Sequence, residues 1–359
     1  MVKAPTHAPF LGLALLSLLA ALWAGWIRIG WEWPPIQASL PGVHGPLMVA
    51  GFLGTLIALE RAVALRHKWM VLSPLFSGVG AIALILGGPD LAGVLLFSFG
   101  SIILVAIFYV IVRQHFVLYT VAMALGALAY AIGSLLWLSG WSIPRVTLWW
   151  QAFLVLTIAG ERLELGRLIR FPRRVIQAFV ISCALLLIGL LYSAFDHMNG
   201  TRLFSLGLMA LAAWFLANDI ATRTIQQAGL PRYTAICLLT GYVWLGVGGI
   251  IGILKGGQAA GPVYDAFVHT VMVGFVLSMI FGHAPIIFPA ILSLPLGYTP
   301  YFYAPLVLLH GSLVLRIAGD LSLWMQLRQW GGLLNGIAVL TFLGIIAIAI
   351  ANAQRTSID

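Results

Sequence analysis

A chain of 359 residues that is 62% hydrophobic and only 8% charged, with a mean hydropathy of +1.05, lacks the polar surface that a water-soluble globule of this length requires. Its 19 Lys and Arg outnumber its 10 Asp and Glu, for a net charge of +9. The basic residues fall in loops between apolar stretches, where they act as topology signals and meet anionic headgroups, so no nucleic-acid partner is expected.

The apolar stretches run about 18 to 25 residues, enough at about 1.5 Å per residue to cross a hydrocarbon layer of roughly 30 Å. They are apolar on all sides, unlike the alternating strands of a barrel. The first, at 9–29, follows MVKAPTHAPF without a small-residue cleavage site and reads as an uncleaved helix. Further helices are expected at 44–66, 70–88, 91–112, 117–140, 145–168, 174–193, 202–222, 233–254, 265–290, 302–319 and 331–352. The expected fold is therefore all-α, a single domain of twelve spans in a lipid bilayer.

Loops after the even-numbered spans carry Arg66, His67, Lys68, Arg113, Arg167, Arg170, Arg173, Arg174, Arg223 and Arg232, and the tail carries Arg355. These mark the cytoplasmic side, with both termini there, in a bacterial-type inner membrane. The opposite loops hold Trp31, Trp33, Pro34, Pro35 and Trp141, an aromatic belt, and fewer basic residues, Arg28, Arg145, Arg202, Lys255 and Arg328. Cys183 and Cys237 lie inside apolar segments and are assigned to packing.

An internal repeat emerges. GFLGTLIALERAVALR from Gly51 and AFLVLTIAGERLELGR from Ala152 share Phe52/Phe153, Leu53/Leu154, Glu60/Glu161, Arg61/Arg162 and Arg66/Arg167 at an offset of 101 residues. The tenth span offers GFVLSMIFGH, in which Phe275 precedes His283 by the interval that separates Phe52 from Glu60. Three quasi-repeats follow, near 1–113, 114–222 and 223–359, with a pseudo-threefold bundle as the expected arrangement.

Ionisable groups within spans are costly, and those here are few. His44 and His269 begin spans that run inward from the outer side, and Gly45, Gly51 and Gly274 lower side-chain bulk beside them. Two imidazoles in a Gly-rich bundle can ligate a heme; hydrogen-bonded packing or a proton relay is the alternative. His283 lies fourteen residues beyond His269, on nearly the same face of an α-helix but about 21 Å along it. Ala284, Pro285 and Pro289 lead to the expectation of a kink or unwinding there. His283 and His310 are candidates for a second metal or heme site, against a plain reading as interhelical hydrogen bonds. Glu60, Glu161 and Glu164 offer a proton path, or merely lock helix ends by pairing with arginines. Arg316, Asp320, Arg145 and Arg28 form an outer group in which the arginines suit heme propionates.

With twelve spans, a His opening the second in HGPLMVAGF and a His early in the tenth in HTVMVG, followed by Gly282 and His283, the chain resembles the catalytic subunit of the heme-copper oxidases and nitric oxide reductases. It resembles their distant NnrS-type relatives more closely. The resemblance implies heme b on His44 and His269, and redox, electron-transfer or nitric oxide chemistry, including nitric oxide reduction by an oxidoreductase or tolerance of nitrosative stress. It also implies nitric oxide as a gaseous ligand and copper as a second metal. The sixth and seventh spans contain no His, so the oxidase-type copper ligand set is missing. A proton-coupled transporter using the same His and Glu residues, and a heme-handling assembly factor, are the competing functions. No substrate or electron donor is legible.

Overall fold

The computed structural model describes residues 7–88, 90–166, 171–292 and 298–356. All regular structure among them is helical. Twelve of the described helices are long and apolar enough to cross a membrane: α1 (Ala8–Arg28), α2 (Leu40–Leu65), α3 (Lys68–Ile85), α4 (Leu91–Gln114), α5 (Leu118–Leu138), α6 (Ile143–Leu165), α7 (Arg173–Tyr192), α8 (His197–Asn218), α9 (Leu230–Lys255), α10 (Gly261–Ile287), α11 (Pro300–Ser322) and α12 (Met325–Asn352). Large apolar side chains line their outer faces, among them Leu191, Val307, Val314 and Ile348. Such a surface would be costly in water. Arg167 and Arg170 lie outside the described residues.

Two helix starts differ most from the sequence expectation, and for one reason. Arg202 and Arg328 read as loop charges, yet each belongs to the opening turns of its helix. Asp196 sets the true start of α8 by accepting the Asn199 amide at 3.1 Å. This cap satisfies an orphan donor of the first turn. Those hydrogen bonds hold the Asp196 carboxyl below its usual range. Leu323, at φ 59°, turns the chain from α11 into α12 in a left-handed conformation.

Two spans are not α-helical throughout. α2 opens as a 3-10 turn over Leu40–Val43, takes one short α-helical step at His44–Pro46, runs as a π-helix over Leu47–Gly54 and finishes as α-helix from Thr55. α10 is α-helical over Gly261–His269, π-helical over Thr270–Leu277 and α-helical again from Ser278. The two π segments are separated by the interval that separates Phe52 from Phe275 and Glu60 from His283. The expected unwinding at Pro285 and Pro289 is not there, since the helix continues to Leu292. The irregularity sits upstream instead, and because π turns are wider, the rotation inferred between His269 and His283 from α geometry does not hold.

The chain divides into two compact units, residues 1–160 and 161–359. In the first, α3 packs on α4, α4 on α5, and α1 on the π segment of α2. Its core holds Trp150, Phe97 and Phe108, with Tyr130 stacked on Phe153 at 4.6 Å between centroids. In the second, α7 through α12 pack largely in sequence, α8 between α7 and α9 and α11 against α12. There Tyr242 stacks on Phe215 at 4.7 Å, next to Phe275.

Candidate functional site

His44 stands one turn ahead of the π segment of α2, half-buried within the first unit. Its ring lies against Gly25 of α1, where a Cβ would come within 2.8 Å of the imidazole. Nδ1 is 2.7 Å from the Ala21 carbonyl. A carbonyl can only accept, so Nδ1 carries the proton and Nε2 keeps the lone pair.

His269 closes the α-helical opening of α10, immediately before the second π segment. Its Nδ1 lies 2.8 Å from the Asp265 carbonyl and 3.4 Å from the Asp265 carboxylate. The same tautomer follows, with the lone pair again on Nε2. Asp265 in turn receives a two-pronged bond from Arg316 of α11, Nε to Oδ2 at 2.8 Å and Nη2 to Oδ1 at 2.9 Å. Arg328 of α12 adds a third cationic contact to Oδ1 at 3.4 Å and pairs through Nε with the wholly buried Asp320 at 2.9 Å. Glycines make this convergence possible. Gly319 of α11 lies against the Arg328 backbone and Gly331 of α12 against the Arg316 backbone, so a side chain at either would drive the two arginine-bearing helices apart.

A second cluster lies at the far end of α10. Arg162 donates to Asp219 twice, Nε to Oδ2 at 2.8 Å and Nη2 to Oδ1 at 2.9 Å, and its Nη1 approaches Nε2 of His283 at 3.4 Å. His283 donates from Nδ1 to the Met279 carbonyl at 2.6 Å, so its lone pair faces the guanidinium. The second unit therefore carries one imidazole with a buried Arg–Asp pair at each end of its tenth span.

His310 is held in the opposite tautomer. Trp244 Nε1 donates to His310 Nδ1 at 3.0 Å, so Nε2 bears the proton and meets Thr240 Oγ1, also at 3.0 Å. Both nitrogens are engaged by neighbours on α9, as the interhelical hydrogen-bond reading requires. The lone pair a metal would need is already taken.

Other expected site residues are placed differently from one another. Arg316 gives Nε and Nη2 to Asp265. Arg145 lies over the Trp141 ring at 4.7 Å, a cation–π contact. Glu60 is 3.8 Å from Arg61, and Glu161 and Glu164 are half-buried near the end of α6. Gly51 and Gly274 do not open a slot in their own units. Gly51 packs against Ser17 and Ala81, and Gly274 against Trp244 and Leu313. Among the described residues, no three His, Cys, Asp or Glu side chains gather into a metal-holding group.

Reading the sequence missed Asp219, Asp265 and Arg328. Asp265 had a usable signal, standing four residues before His269 and hence on the same helical face. No curated protein matches the chain in sequence. Residues 7–351 match the family described as Domain of unknown function (DUF8744), and the chain belongs to that family.

Proposed function

We propose that this protein is a heme-binding, multi-pass protein of a bacterial-type inner membrane, with both termini cytoplasmic and a redox or nitric oxide role. The cofactor is heme b, and His44 and His269 are the imidazoles that bind iron. Supporting this reading is the preparation of the two rings. Each gives its Nδ1 proton to a carbonyl, which makes Nε2 the unprotonated nitrogen, and stands at the entrance of a π-helical segment. Metal-binding histidines are commonly oriented in this way, and π segments are rare and concentrate at functional sites. Bound heme would supply one-electron chemistry. The bundle that goes with this reading is the pseudo-threefold one of the heme-copper oxidase catalytic subunits, supported by the matching places of the two π segments in the repeat.

The test is an absorption spectrum of the purified full chain, with heme extraction and metal analysis. A Soret band is expected, and His44→Ala and His269→Ala should each abolish or shift it. Spectra unchanged in both variants would overturn the assignment.

A second reading, a proton-coupled transporter, is favoured by the buried Arg–Asp–His groups at the two ends of α10. It expects a colourless protein whose proton uptake in liposomes is lost in Asp219→Asn.

A further inference from the structure

Three helices of the second unit bring two carboxyls and two guanidiniums together. Asp265 of α10 holds the better place, because Arg316 gives it two aligned bonds at 2.8 and 2.9 Å and Arg328 reaches its Oδ1 at 3.4 Å. Asp320 of α11 is wholly buried and is served worse. Arg328 Nε lies 2.9 Å from its Oδ1 but off the N–H axis, so neither Asp320 oxygen accepts a hydrogen bond. What Asp320 has within hydrogen-bonding reach is the Asp265 carboxylate. One guanidinium, that of Arg328, touches both acids.

Two adjacent carboxylates kept from water do not both stay charged at low cost, and one takes up a proton. Three observations put that proton on Asp320. A buried carboxylate needs hydrogen bonds to its charged form, and here those go to Asp265. Asp320 also stands in the last turn of α11, where the free carbonyl ends of the helix disfavour negative charge. Finally, two acceptors side by side have no bond between them unless one carries a hydrogen, which a protonated Asp320 supplies to the Asp265 carboxylate.

We propose that Asp320 is a proton-binding site, a neutral acid in the folded protein that donates its O–H to Asp265. The charged and titratable groups around the two acids are His269 on α10, Arg316 on α11 and Arg328 on α12. With Asp320 neutral, the two arginines outweigh Asp265 by one positive charge. Arg328 can bring that charge toward water, since it lies in the opening turn of its helix with 16% of its side chain exposed. Neither functional reading depends on this proton, and the proton-coupled one gains a carrier from it.

Asp320→Asn keeps the shape of a neutral acid and its ability to donate to Asp265. The unfolding midpoint of the full-length variant, in micelles at neutral pH, should therefore stay at or above the wild-type value. Asp265→Asn strips two arginines of their anion and should lower it. Infrared spectroscopy supplies a second readout on the same samples. Wild type should show the C=O band of a neutral aspartic acid, identified by its shift on carbon-isotope labelling of aspartate, and Asp320→Asn should lack it. A counter-ion role for Asp320 predicts the reverse, with no such band in wild type and a lower midpoint in the variant, because the amide would then strand Arg328. Any of three results overturns the proposal: a wild-type spectrum without the band, a band that survives in Asp320→Asn, or a midpoint that falls in Asp320→Asn as it does in Asp265→Asn. A variant that does not fold belongs with the third, since an amide of the same shape replaces a neutral acid without stranding a charge.

Discussion

Replacing Arg162 by Met should be among the most damaging single changes in the second unit. Asp219 is 1% exposed at its side chain and accepts two bonds from Arg162 and one from the Ala221 amide at 2.7 Å. Arg162→Met leaves a buried carboxylate without its guanidinium partner. Two charge-assisted bonds at about 1.5–3 kcal/mol each agree with the loss of about 3–5 kcal/mol seen when one partner of a buried pair is removed. The companion variant Arg162→Met/Asp219→Asn removes the stranded charge and should recover about 2 kcal/mol of that loss. Denaturant unfolding in micelles, followed by circular dichroism, measures both. A single variant that loses less than about 1 kcal/mol, or a double variant less stable than the single, would refute the claim that the pair is desolvated.

Asp196→Ala should loosen the first turn of α8, seen as faster exchange of the Asn199 amide. The same loosening should appear in wild type on acidification. The Asn199 bonds depress the folded-state pKa of Asp196, so its contribution is present above the unfolded value and is lost as pH falls through the folded one. Leu323→Gly should stabilise the α11–α12 hairpin by about 0.5–1 kcal/mol. Relief of the left-handed backbone, worth about 1–2 kcal/mol, exceeds the added chain entropy of glycine, and Leu323 is 75% exposed. An unfolding midpoint that drops instead would show that the Leu323 side chain packs against something.

Span number was legible because membrane thickness and hydropathy are properties of composition, and errors came where a charge lies inside a helix, as at Arg202 and Arg328. The relation between the second and tenth spans rested on little more than Phe52 and Phe275, yet the π segments fall at that same interval. The π geometry itself left no trace, since LMVAGFLG and TVMVGFVL are apolar runs that an α-helix would accept equally well. Histidines could be picked out one by one, but the tautomers of His44 and His310 could not, because those depend on Ala21 and Trp244, which are distant in the chain. Nor does any local signal say that Arg316 belongs to Asp265 rather than to a propionate. Ion-pair partners within a bundle are decided by which helices touch.

The π segment of α10 has a consequence that can be tested by deletion. Asp265 and His269 precede it and His283 follows it, so its winding sets the angle between the two clusters. Each residue of an α-helix turns the chain by about 100° and advances it by about 1.5 Å. Deleting Val273 should let the i→i+5 pattern relax toward i→i+4 and rotate one end of α10 against the other by about that angle. Asp265 could then keep Arg316, or His283 could keep Arg162, but the two contacts could not both survive in their present helices. In wild type, Asp265→Asn and Arg162→Met should each be strongly destabilising, because each breaks a two-pronged buried bond. In the deletion background one of the two should become nearly silent, costing less than about 1 kcal/mol, while the other keeps its effect. If both keep their full cost, α10 has absorbed the deletion elsewhere, and the wide turns are not what aligns its two ends.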